Sequence, residues 1–416
     1  MCRSTEDREQ WDQRDPREWS DPARRDRQPG ESARKCGSHQ NHSCVAPRAR
    51  RRAHRDCRGA TGTDSERGAS EFQPCLRRGN WFQLRSAMRR ERWLLVTALV
   101  ALAIFGFCLA NALTWINRPF PGFLVLENGI VVSIGRSDWI PPERRRAQWT
   151  RVIAVDDHPV SGGREINAYV SAADVGKRIT YTFRGGSDIF RLALEVRAFG
   201  MADFLDLFAP LLGVGLVMVC GGAVTLVRRP GAPEARALFA MCLSLGLALI
   251  TGPDQYYPYT FSPLFFLSLS ALPPSITLFA LTYPRYSGLL RHGALPHAAL
   301  YLPFAGLGTA LSLLSSQTSL FLPLLYTVYF FTANAVLLGV GSVVLALING
   351  VRPAAPLLLV LGAALGSCLP IAILVTYPLL QRPISPVMLV CPLLFIPALI
   401  GRALVRFPAF DHASGA

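Results

Sequence analysis

Lysine is nearly absent from this chain, and no Asp, Glu or Lys lies in the interior of its long apolar runs; Asp203 and Asp206 stand at the entry to the second. The second absence excludes more than the first. A charge at the centre of a bilayer is costly and is kept where it moves ions or protons. Its lack argues against a proton-coupled transporter or pump. Catalytic signatures are missing as well. The sequence has no His-Glu-x-x-His for a metalloprotease helix, no Gly-x-Ser-x-Gly elbow and no Ser/His pair that reads as a triad. Its 7 histidines show no ligand spacing. The glycine-rich stretch Leu211 to Val224 lacks the Lys-Ser/Thr ending of a phosphate cradle. No catalytic residue, metal ligand or cofactor is therefore expected, and the chain does not read as an enzyme.

Cysteine is absent from residues 117–203. No disulfide framework can hold that stretch. Five cysteines lie in the tail (Cys2, Cys36, Cys44, Cys57, Cys75), with spacings that match no zinc pattern. The other five (Cys108, Cys220, Cys242, Cys368, Cys391) lie in apolar runs, where they read as small packing residues. A net charge of +15 would point to nucleic acid in a soluble protein. Here the arginines gather in the N-terminal tail and in short joins between apolar runs, where they set membrane orientation. Nucleic acid is not an expected partner.

What the chain has in abundance is apolar length. Crossing about 30 Å of hydrocarbon takes roughly 20 apolar residues. One such run covers 93–116, and seven more fall near 205–227, 237–252, 261–283, 296–315, 320–348, 354–379 and 385–405. The fold class is a polytopic α-helical membrane protein with about eight transmembrane helices, the lipid bilayer its first partner. Residues 1–87 are rich in Arg, Asp, Gln, Ser and Gly and read as a disordered tail. Met88-Arg89-Arg90 looks like a natural start, which would make those residues upstream sequence. Arg85, Arg89, Arg90 and Arg92 place the N-terminus in the cytoplasm of a bacterial inner (plasma) membrane. Alternation then puts 117–203 outside and the 406–416 tail inside. Tyr256, Tyr257, Tyr259, Tyr283, Tyr286 and Tyr377, near span ends, read as an aromatic belt.

Residues 117–203 carry strand signals instead. Phe123 to Leu126 and Ile130 to Ile134 flank an Asn128-Gly129 turn. Arg151 to Val155 alternates as a third strand, Gly162 to Val170 has a helical apolar face, and Lys177 to Arg184 with Ile189 to Val196 forms a second hairpin. This small mixed α/β insert resembles a PDZ domain, most specifically over Arg151 to Val170 (RVIAVDDHPVSGGREINAYV). PDZ domains bind extended peptides beside an open strand edge. The resemblance implies a carboxylate-binding loop at Pro121, Gly122, Phe123 and Leu124, with Ile166 and Tyr169 on the peptide-binding helix. The expected ligand is an extracytoplasmic peptide or protein terminus.

The chain ends in Ala403-Leu404-Val405-Arg406 and Phe410-Asp411. This resembles the membrane exit of bacterial sensor histidine kinases. An anchor, an external PDZ-like domain and a block of spans is similar to the input region of competence-type sensor kinases, without the kinase output. The resemblance implies a signal-sensing protein that relays to a cytoplasmic kinase or response partner, with a homodimer open. Two other readings stay open: a transporter or channel, and a membrane-bound lipid-modifying enzyme, whose thin candidate is the Arg285, His292 and His297 loop.

Overall fold

The computed structural model describes residues 93, 96–136, 139, 147–186, 188–283, 294–315, 317–348, 362, 364–368, 370 and 385–406. The expectations for the 1–87 tail, Arg285 and His292, most of the 354–379 run and the end beyond Arg406 lie outside them. Within them the chain is mostly helical with a small sheet region. Seven helices are long and apolar enough to cross a membrane, as in a multi-pass membrane protein.

The first is α1, Val96–Leu113. Next comes the sheet region. Strands β1 (Pro119–Phe120) and β6 (Arg197–Ala198) pair antiparallel and bring its two ends together. Asn117 N–H donates to the Phe199 carbonyl at 2.8 Å and Phe199 N–H to the Arg118 carbonyl at 2.9 Å, so the insert begins and ends at one point. Four further strands, β2 (Arg151–Val155), β3 (His158–Pro159), β4 (Arg178–Gly185) and β5 (Asp188–Glu195), form an antiparallel sheet in the order β3-β2-β4-β5. Helix α2, Gly163–Ser171, runs between β3 and β4 in the chain. The bounds of β2, β4, β5 and α2 fall within a residue of those read from strand alternation and helical period; β3 is not among those, and the strands expected at Phe123 to Leu126 and Ile130 to Ile134 pair only through isolated bridges, Val125 with Val131 and Ile130 with Arg151.

The Asn-Gly turn forms a three-residue hairpin loop. Gly129 takes φ +80°, the left-handed conformation such loops ask of their last residue. Leu126 N–H donates to the Ile130 carbonyl and Gly129 N–H to the Leu126 carbonyl, both at 2.9 Å. Phe123, Val125, Val131, Val152, Val155, Ile166, Val170, Ile179, Tyr181 and Phe183 then close a core between sheet, hairpin and α2.

The remaining spans are α3 (Met201–Arg228), α4 (Pro233–Ile250), α5 (Ser262–Ser270) with α6 (Leu272–Thr282), α7 (Ala294–Leu313), α8 (Thr318–Ile348) and the mixed-pitch α9 (Pro386–Val405). The 261–283 run is two helices. Pro273 and Pro274 supply no N–H to the turn before them, so the span breaks at Ala271. Helices α3 and α4 touch through glycines. A Cβ on Gly215 would come within 2.9 Å of the Gly246 carbonyl, and one on Gly246 within 2.7 Å of Val219. Gly362 and Gly366 face α9 in the same way, against Ile400 and Ile396. Conversely, α1 and α8 present Leu99, Phe107, Phe330 and Leu337 outward. Such continuous apolar exposure is foreign to a soluble surface and suits lipid.

One seam between the insert and the spans is aromatic. Trp115, Phe120, Trp139, Phe199 and Phe208 form an aromatic cluster, with Phe120 and Trp139 ring centroids 4.6 Å apart and Phe199 and Phe208 5.2 Å apart. Arg136 adds ion pairs to Asp206 at 3.0 Å and Asp203 at 3.5 Å. Asp203 also accepts the Gly200 N–H and so caps α3.

Candidate functional site: a cleft closed by the loop between two spans

The hairpin register decides which way the strand edge points. Val132 N–H donates to the Leu124 carbonyl and Leu126 N–H to the Ile130 carbonyl, with Val125 opposite Val131 between them. Val125 is thus a non-hydrogen-bonded position of the pair, and its own carbonyl points to the outer edge. Helix α2 stands beside that edge. Gly163 N–H donates to the Glu127 carbonyl at 2.9 Å, and Arg164 pairs with the Glu127 carboxylate at 3.0 Å. Ser161 steadies the same helix start: its N–H and hydroxyl both donate to the Glu165 carboxylate, holding that carboxyl below its usual range.

The loop between α4 and α5, residues 251–261, fills the space between strand edge and helix. The Tyr259 hydroxyl donates to the Val125 carbonyl at 3.2 Å and accepts from Asn167 Nδ2 at 3.1 Å. The same amide donates to the Tyr256 carbonyl at 2.9 Å. Arg164 lies 5.3 Å over the Tyr259 ring. Gly163 is what lets the phenol in, because a Cβ there would collide with the Tyr259 hydroxyl. Tyr259 itself holds φ +69°, a backbone conformation rare for a side chain of this size.

Asp254 organises the loop from within. It is 2 % exposed; its carboxylate accepts the Phe261 N–H at 2.6 Å, and its carbonyl accepts the Tyr259 N–H at 3.0 Å. Burial pushes its carboxyl above the usual range, against the opposing pull of the Phe261 and Thr260 N–H groups and of Arg164. Burial likewise raises the phenols of Tyr256 and Tyr259. Beside the loop is a small cavity lined in part by Glu127, Asn128, Gln255 and Ser262.

The residues that the PDZ resemblance implied take these places. Gly122, Phe123 and Leu124 are all buried. Phe123 belongs to the core of the insert, and Leu124 to the cluster shared with the spans. Ile166 is fully buried beneath α2. Half-buried Tyr169 turns to the β2–β3 side, where its hydroxyl donates to Asp156 at 3.1 Å. The face of α2 toward the strand edge instead carries Gly163 and Asn167, one turn apart. Of the tyrosines read as a belt, Tyr256, Tyr259 and Tyr283 are buried and Tyr257 is exposed, while Tyr286 and Tyr377 lie outside the described residues. The sequence held a signal for this: three tyrosines and two prolines beside a carboxylate in an eleven-residue join is more than a turn requires. His158 lies exposed on β3, and no group of three or more His, Cys, Asp or Glu fit to hold a metal occurs among the described residues.

Comparison with protein-family models, curated proteins and solved structures finds no match for this chain.

Proposed function

We propose that the protein is a membrane-embedded signal-input protein. In this reading the 117–203 insert is an extracytoplasmic PDZ-like domain that detects a peptide or protein terminus, and the span bundle relays the event to a cytoplasmic kinase or response partner. The observation that carries the proposal is the bonding of the α4–α5 loop to the insert through Asn167, Arg164 and Val125. A ligand that alters this contact acts on two spans directly, since the loop is their only covalent join.

The order of strand, helix and hairpin supports the PDZ-like assignment, as does the strand edge facing α2. The arginine pattern supports the orientation: Arg228, Arg229 and Arg236 join α3 and α4 on the side opposite the loop. There Arg229 donates to the Leu404 carbonyl at 2.8 Å, linking the α3–α4 join to the last span. A movement of α4 would thus reach the C-terminal end of the described bundle, where an output partner would bind. An alkaline phosphatase reporter fused after residue 190 tests the layout. Activity is expected, and an inactive fusion paired with an active cytoplasmic reporter at the same site would overturn it.

A further inference from the structure

The cleft between Val125 and α2 is already occupied, and by a segment of this chain. We propose that it is a tyrosine-recognition site whose resident ligand is the Tyr256–Tyr259 loop, and that an extracytoplasmic polypeptide presenting a tyrosine in the same way competes for it. The inference deepens the sensor reading and rests on it for its biological use, though the cleft chemistry stands on geometry alone.

Three features define what fits. An outward carbonyl on the strand edge (Val125) accepts a phenol O–H. One side-chain amide (Asn167) donates to that phenol oxygen and to a main-chain carbonyl three residues earlier in the occupant. A guanidinium (Arg164) covers the ring face, itself held by Glu127. Together they read an aromatic ring, its hydroxyl and the backbone of a turned Tyr-x-x-Tyr segment. A phenylalanine would satisfy the ring contact and leave the Val125 carbonyl and the Asn167 amide short of a partner. That pairing is what discriminates a hydroxyl-bearing ligand from one lacking it.

Occupation by a tethered segment sets the terms of competition. A short tether gives the resident loop an effective concentration in the millimolar range. A weakly bound foreign segment would lose to it, and only a better-matched one would release the loop. Release frees the join between α4 and α5, so occupancy is converted into freedom of two spans.

The test uses the full chain in lipid nanodiscs and a synthetic peptide copying Gly252 to Phe261 (GPDQYYPYTF), read by fluorescence polarisation. Tyr259→Ala in the chain empties the cleft. We expect the peptide to bind that variant at least tenfold more tightly than the wild-type chain, and a peptide with Phe in place of its last tyrosine, the one copying Tyr259, to bind it several-fold more weakly. Equal affinity for wild type and variant, or no binding to a folded variant at millimolar peptide, overturns the proposal. If Tyr259→Ala does not fold, Tyr259→Phe keeps the ring and should shift affinity in the same direction by a smaller factor; an unchanged affinity again overturns it. The sensor reading fails separately, through the reporter after residue 190, whatever the peptide does.

Discussion

At the residue scale the consequences are set by burial and by single hydrogen bonds. Phe123 packs edge-on to Tyr181 with centroids 5.1 Å apart in the core of the insert. Phe123→Ala should cost about 3–5 kcal/mol of that region's stability, as large-to-small core changes do, measured by urea unfolding of the detergent-solubilised chain. Tyr259→Phe removes a hydroxyl held by two partners and should cost about 1–3 kcal/mol, in the same assay. Asp254 gives a pH dependence. Its carboxyl is raised by burial, so its contribution is fully present below the ordinary carboxylate range and is lost as pH rises through the raised value. Its surroundings oppose one another: Arg164 favours the charged form, Glu127 disfavours it, and the Phe261 and Thr260 N–H groups favour it. Thermal stability should therefore fall with rising pH across that interval, and Asp254→Asn should flatten the slope. An unchanged slope would remove Asp254 from the account.

At the element scale, periodicity made strands, helices and spans legible, while contacts between them were not. Alternation in Arg178 to Arg184 and the Asn128-Gly129 pair specify a strand and a turn locally. The apolar period of α2 correctly buried Ile166 and Val170, because a helical stripe reports the face toward a core. It says nothing about the polar face, where Gly163 and Asn167 meet the loop. Tyr259 was legible only as an aromatic near a span end. Its hydroxyl's partners, Asn167 and Val125, lie 92 and 134 residues away in sequence, and no local pattern encodes those distances. The Pro273-Pro274 pair was visible, yet a uniformly apolar run conceals a break. Glycine spacing was more informative: Gly215 and Gly246 sit where α3 and α4 close on each other. Gly246→Leu should destabilise that pair by about 1–3 kcal/mol through overpacking, seen as a lowered melting temperature in detergent, whereas a leucine at Gly213, open on its surroundings, should change little.

At the scale of the whole molecule, a sheet-bearing insert meets a helical bundle through four contacts among the described residues: the β1–β6 clamp, the aromatic seam around Trp115 and Phe199, the 251–261 loop, and the packing of Ile130 with Phe266, Leu311 and Phe321. The first two hold the insert at the end of α1 and the start of α3. The third makes the insert touch a pair of spans to which it is not adjacent in sequence. A signal-input role needs such a contact, and it also needs the insert to face the outside. The most direct measurement is thiol labelling of Ser171→Cys, an exposed position at the end of α2 in a stretch with no cysteine of its own. A membrane-impermeant maleimide added to intact cells should label it fully. Labelling only after the membrane is permeabilised would place the insert in the cytoplasm and contradict the account.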